Sequence, residues 1–197
     1  IYGDWADDIP VSIQQSSDGG YIIVGSTASD GGDVSDGNNG RDDYWVVKLD
    51  NVGNIVWDKT YGGSDYDIVT SIQQTSDGGY IVAGYTWSND GDISDGNNGV
   101  SDYWIIKLDG SGNKVWDKTY GGSNSDELYS LQQTLDGGYI VAGYTFSNDG
   151  DVSDGNNGQE DYWIVKLDGS GNKVWDKTYG GSYSDHAESI QQTSDGG

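Results

Sequence analysis

The chain repeats itself every 59 residues, and this period limits the possible folds more than any other feature. IQQ recurs at Ile13, Ile72 and Ile190, with LQQ at Leu131. DGG begins at Asp18, Asp77, Asp136 and Asp195, and YGG at Tyr61, Tyr120 and Tyr179, with YGD at Tyr2. Every interval is a multiple of 59, giving copies 1–59, 60–118 and 119–177 and a partial copy 178–197 that repeats the first 20 residues. A repeat of this length is one supersecondary unit that buries its apolar faces only against its neighbours. No linker interrupts the pattern, so a single array over 1–197 is expected.

Within the copy 60–118, four extended segments stand between turn signals: Ser71–Thr75, Tyr80–Thr86, Asp102–Asp109 and Lys114–Tyr120. All are rich in Val, Ile, Thr, Tyr and Trp, and clusters of Gly, Asn, Asp and Ser bound them. No stripe of helical period survives the glycines, so the fold class is all-β. On the third segment Tyr103 and Ile105 face one way, and Trp104, Ile106 and Leu108 the other. A strand apolar on both faces lies between layers. Four strands in up-and-down order form the blade of a β-propeller. The competing architectures are a β-sandwich and a β-solenoid, whose coils carry shorter strands and shorter periods.

Composition excludes several functions. Nine Lys and Arg stand against 33 Asp and Glu, a net charge of −24. That argues against a nucleic-acid partner and against an anionic membrane surface. No apolar run reaches the ~18 residues of a membrane helix, and no signal peptide is visible; a chain opening at Ile1 reads as a mature form or part of a longer one. Ile, Val, Leu and Phe make up about a fifth of the residues, a level typical of disorder, but 8 Trp and 15 Tyr supply the missing volume. The chain is expected to fold. There is no cysteine, hence no disulfide framework or thiol catalysis.

Three motifs carry a family resemblance. They are D-aromatic-aromatic-x-x-K-L-D-x-x-G, T-Y-G-G-S-x-x-D and D-G-G-Y-I-V-A-G-Y-T, carried by Asp102, Lys107, Leu108, Asp109, Gly112, Thr119, Tyr120, Gly121, Gly122, Asp126, Gly138 and Gly143. The pattern resembles the bacterial β-propeller repeat often called SBBP, related to kelch-type blades, and covers the whole chain. The resemblance implies a secreted or surface-attached bacterial repeat protein. The insert DGDISDGNNG between the second and third strands departs from the pattern, so nothing about that loop is carried over.

The acid is almost all aspartate, 30 Asp to 3 Glu, and aspartate is suited to turns and tight cation loops. In the second copy Asp90, Asp92 and Ser94 stand at i, i+2 and i+4, with Asp95, Asn97 and Asp102 beyond. The third copy offers Asp149, Asp151, Ser153, Asp154, Asn156 and Asp161, and the first Asp33, Ser35 and Asp36. This oxygen-rich pattern points to Ca²⁺; the alternative is a hydrated loop whose Asx side chains bond their own backbone. Gly31 stands where Asp90 and Asp149 supply a carboxylate, so the first copy is expected to bind more weakly.

Catalysis needs unlike groups gathered at one place, whereas nearly every polar group here occurs three times. His186 is the only imidazole, and its counterparts Ile9, Ile68 and Glu127 share no chemistry with it. No enzyme is expected. Tyr103, Trp104 and Trp116 read as core, while Trp87 and Phe146, at the mouth of the long loop, are the candidate ligand contacts. Copies two and three differ at 12 positions, seven of them at 65, 66, 68–70 and 100–101, which an up-and-down blade places on one face.

The expected function is a non-enzymatic extracellular or cell-surface repeat protein for structure, adhesion or assembly. The rival readings are a glycan-binding propeller with one weak site per blade and a secreted hydrolase or lyase. Propellers close with roughly 4–8 blades. Ile1–Asp4 reads as the tail of a fourth strand and 178–197 as the first strand of a further blade. Joining other copies, as a ring or a filament, or continuing into a longer chain is therefore expected.

Overall fold

The alternation of large apolar residues produces twelve strands in a computed structural model that describes residues 7–197. The first sheet holds β1 (Asp8–Gln15), β2 (Tyr21–Thr27), β3 (Asp43–Leu49) and β4 (Ile55–Tyr61). The second holds β5 (Asp67–Gln74), β6 (Tyr80–Thr86), β7 (Asp102–Leu108) and β8 (Lys114–Tyr120). The third holds β9 (Asp126–Gln133), β10 (Tyr139–Thr145), β11 (Asp161–Leu167) and β12 (Lys173–Tyr179). Each sheet is an antiparallel meander whose strands pair in sequence order. The three sheets do not close into a barrel, and the fold is an all-β, propeller-type array of blades.

Strand alternation sends side chains of one blade into two different interfaces. Trp104, Ile106 and Leu108 of β7 join Tyr44 and Val46 of the preceding blade in one buried cluster. Tyr103 and Ile105 of the same strand join Trp163 and Val165 of the following blade in another. Trp104, Trp163 and Tyr103 are wholly buried, and rings of this size bury ~150–250 Å² each. These aromatics are core, as the sequence indicates. A third cluster, Val34, Trp45, Val47 and Leu49, lies on the outer face of the first blade.

Three strand limits of the middle blade differ from the sequence reading, the end of its first strand by one residue, at Gln74 rather than Thr75. The first strand of the middle blade begins at Asp67 rather than Ser71, and the third ends at Leu108 rather than Asp109. Asp67 is buried and bonded, so it behaves as a strand residue despite its turn-forming character. The segment Ile1–Asp4, expected to be a strand tail, lies outside the described residues.

The blades join through a repeated contact. Asp67 N donates to Asp42 O at 2.6 Å, Asp126 N to Ser101 O at 2.7 Å and Asp185 N to Glu160 O at 2.7 Å. The first strands lie side by side. Gln74 N donates to Gln14 Oε1 at 2.8 Å, Gln133 N to Gln73 Oε1 at 2.6 Å and Gln192 N to Gln132 Oε1 at 2.5 Å. The segment 185–197 thus occupies the place of a fourth first strand, without strand partners of its own among the described residues.

Candidate functional site

The acidic loop is held by donors from elsewhere in the chain. In the second copy Asp90 accepts Ser64 N at 2.7 Å, and Asp92 accepts Gly62 N at 3.4 Å and faces Lys114 at 3.6 Å. Ser94 bonds Asp117 through its N–H at 2.8 Å and its hydroxyl at 2.5 Å, and Asp95 pairs with Lys118 at 2.8 Å. Asn97 donates its side-chain amide to Thr86 O at 3.0 Å, and Asp102 accepts Asn98 N at 2.8 Å.

The third copy repeats the pattern. Asp149 accepts Ser123 N, Asp151 accepts Gly121 N, and Ser153 donates to Asp176. Asp154 pairs with Lys177, Asn156 donates to Thr145 O, and Asp161 accepts Asn157 N. In the first copy Ser35 donates to Asp58 and Asp36 pairs with Lys59, while Asp33 lies between them and the turn at Gly31. Most of these side chains have bonding partners elsewhere in the chain. Among the described residues no group of three or more acidic, His or Cys side chains is placed to hold a metal ion. The Ca²⁺ expectation rests on the sequence pattern.

The blade junctions bring together carboxylates that sequence reasoning did not pair. Asp102 and Asp126 are fully buried and flank Gly121, where a Cβ would come within 2.2 Å of Asp102 Oδ1 and 2.7 Å of Asp126 Oδ2. The glycine is required because any side chain would strike both carboxylates. Asp43, Asp67 and Gly62 repeat this arrangement one blade earlier. Asp67 accepts Thr86 and Ser88 hydroxyls and Gly63 N, whereas Oδ1 of Asp43, of Asp102 and of Asp161 has no hydrogen-bond donor among the described residues. Burial pushes Asp43 and Asp102 up to about 7, with the neighbouring aspartates adding to the rise. Burial likewise pushes Asp67 and Asp126 up to about 6, against the hydrogen bonds they accept. Half of the pattern was legible in T-Y-G-G-S-x-x-D; its partner Asp102 comes from another strand of the preceding blade.

The candidate contacts Trp87 and Phe146 belong to a row of rings across the blades. Trp87 lies 6.1 Å from Tyr66 and 5.2 Å from Tyr85, which stands 6.2 Å from Tyr129. Tyr144 continues the row at 5.7 Å from Tyr129, with Phe146 at 5.9 Å and His186 stacked on it at 4.7 Å. Tyr129 donates to Glu127 at 2.9 Å, and burial followed by the Glu127 charge pushes its hydroxyl up to about 12. At one end Arg41 lies over Tyr66, 4.7 Å from its centre, beside an open hollow of 570 Å³ lined by Asp42, Asp65, Ile68 and Trp87. The positions that vary between copies meet here. Arg41 faces Asp65, Val100 N donates to Asn124 O, and Glu160 meets Ser184 and His186. Each junction carries its own side-chain set on a common backbone.

No family model matches the chain, and no curated protein matches it. A solved structure of a protein of unknown function from Bacteroides caccae is similar over 91% of this chain and 70% of that one, at 13% identity and a TM-score of 0.33. A likeness this low carries no argument about fold or function.

Proposed function

We propose that this protein is a non-enzymatic structural repeat protein of the cell surface or extracellular space, whose blades join further blades outside the chain. The supporting observation is that the rings closing each internal junction recur uncovered at the array's end. Tyr44 and Tyr103 are wholly buried, while their counterpart Tyr162 is 38% exposed and Trp175 is 45% exposed. The polar groups support a scaffold rather than a catalyst, because the same loop and junction bonds recur from copy to copy. Among the described residues no helix is long and apolar enough to cross a membrane.

In sedimentation and light scattering, the protein is expected to form species at multiples of 21.1 kDa that grow with concentration. Trp175→Ser should weaken this association without lowering the melting temperature. A compact monomer at all concentrations up to the solubility limit overturns the reading.

A second reading is favoured by the aromatic row. Rings beside the Glu127 carboxylate and tyrosine hydroxyls are suited to sugar faces and hydroxyl groups. Under this reading a glycan array gives saturable, sugar-competed binding that Trp87→Ala reduces; no binding at millimolar sugar removes it.

A further inference from the structure

We propose that the hollow at the junction of the first and second blades binds a neutral hexopyranose. The sugar's C–H face would lie on Trp87, and its hydroxyls would meet Arg41, Asp42 and Asp65. This inference rests on the sugar reading above and names its site and the class of sugar.

The lining of the hollow is mixed in the way a pyranose requires. Ile68, Tyr66 and Trp87 supply apolar surface, and Arg41, Asp42 and Asp65 supply charge. A sugar ring carries a C–H face that suits the first set and hydroxyls that both donate and accept, which suit the second. The volume of 570 Å³ falls in the ~300–1,000 Å³ range of small-ligand sites. Backbone bonds from neighbouring strands fix the lining before any ligand arrives. Asp67 N donates to Asp42 O at 2.6 Å, Trp87 N to Tyr66 O at 2.9 Å and Asp65 N to Ser88 Oγ at 3.0 Å. A site held in this way loses little freedom on binding.

The charged groups here also keep bonding capacity in reserve. Arg41 is the only arginine. Each of the eight lysines lies within 3.2 Å of a carboxylate oxygen. Arg41 instead reaches Asp65 through Nε at 3.6 Å, and its terminal nitrogens donate to no acceptor among the described residues. The Tyr66 ring, 4.7 Å from the guanidinium, holds it in place without using those donors. Among the described residues the Asp42 carboxylate takes no hydrogen bond, and Asp65 Oδ1 takes Tyr66 N at 3.0 Å. The hollow therefore offers a planar fork of donors beside two acceptors. An acidic sugar would meet both carboxylates and a net charge of −24, so the sugar is uncharged.

The set is not repeated along the array. In the second junction Val100, Ser101 and Asn124 replace Arg41, Asp42 and Asp65. Ser101 is wholly buried, and the Asn124 amide is turned to Phe146 O at 3.3 Å. In the third junction the counterparts are Gln159, Glu160 and Tyr183, and Glu160 already accepts the Ser184 hydroxyl. One site per chain follows, rather than one in every blade.

Calorimetric titration of the whole chain with methyl glucoside, methyl mannoside and methyl galactoside tests the proposal, with methyl glucuronide as the acidic probe. Saturable binding of at least one neutral glycoside at millimolar concentration is expected, with one site per chain. The indole N–H resonance of Trp87, identified by its loss in Trp87→Phe, should shift with the same affinity. Arg41→Met and Asp42→Asn lie at exposed and half-exposed positions, where folding tolerates change. Each should weaken binding by about tenfold. If the sugar binds equally well to both variants, or at two or three sites per chain, this site is wrong while the sugar reading stands. Preference for the glucuronide overturns the neutral class. If none of the four glycosides binds, the sugar reading fails as well.

Discussion

Lowering the pH from about 8 to about 5 is expected to raise the melting temperature by roughly 10 °C. Most proteins gain nothing over this range, because their carboxylates are already ionised in both folded and unfolded states. Here Asp43 and Asp102 are raised from 3.8 to about 7, and Asp67 and Asp126 to about 6, with burial the largest cause at each. A raised carboxyl binds more protons folded than unfolded, so stability falls as pH climbs from the unfolded pKa through the folded one. The loss is complete above about 7. One pKa unit is about 1.4 kcal/mol, so two junctions contribute on the order of several kcal/mol. The net charge of −24 acts in the same direction, since protonation relieves self-repulsion.

A second set of carboxyls reverses the slope further down. Asp77 is lowered to about 2, chiefly by the Thr75 hydroxyl and despite some desolvation, and Asp18 and Asp136 are lowered by Lys48 and by Thr134 respectively. Their contribution is present above the unfolded pKa and is lost as pH falls below it. A stability maximum near pH 4 to 5 follows, to be read from thermal melts at constant ionic strength. Asp43→Asn with Asp102→Asn should flatten the limb between about 5 and 8, since the amide stays neutral throughout. A melting temperature that is constant or rises with pH over that limb would exclude the junction account.

The sequence disclosed the blades and their faces because a strand's alternation is local. Tyr103 and Trp104 could be assigned to opposite interfaces from position alone, and the structure places them there. The start of β5 was not legible, because Asp67 reads as a turn residue until Thr86 and Ser88 are seen to bond it. The aromatic row was only partly visible. Trp87 and Phe146 were singled out by their place at the loop mouth, but Tyr85, Tyr129 and Glu127 come from strands of two blades. The loop shows the limit most clearly. Spacing at i, i+2 and i+4 suggests oxygens that converge, yet Ser94 and Asp95 face partners 23 residues away and Asp90 one 26 residues away. Nothing within the loop's own sequence names those partners.

Asp117→Ala is expected to be among the most damaging single substitutions, costing about 3–5 kcal/mol. Asp117 is buried on β8 and is the hub on which the acidic loop closes. It accepts the Ser94 N–H and hydroxyl and Trp104 Nε1 at 3.2 Å, and it faces Lys114 Nζ at 3.2 Å. Burial alone would raise its carboxyl, but the Ser94 and Trp104 bonds and the Lys114 charge outweigh that and hold it below 3.8. Alanine leaves the buried Trp104 Nε1–H and the part-buried Ser94 N–H and hydroxyl without this acceptor, and Lys114 keeps only its contacts with Asp92; the loss at Trp104 carries the largest desolvation penalty. Asp117→Asn keeps one acceptor oxygen and should cost about half as much. Asp90→Ala, at an exposed carboxylate with one bond to Ser64 N, should stay within about 1 kcal/mol. Urea unfolding of the three variants measures the order, and amide exchange over 89–101 reports whether the loop opens first. If Asp117→Ala unfolds within about 1 kcal/mol of the parent, the loop is not held through this carboxylate. The long acidic insert would then need another reason for its order, and a cation bound by its own oxygens would become the leading one.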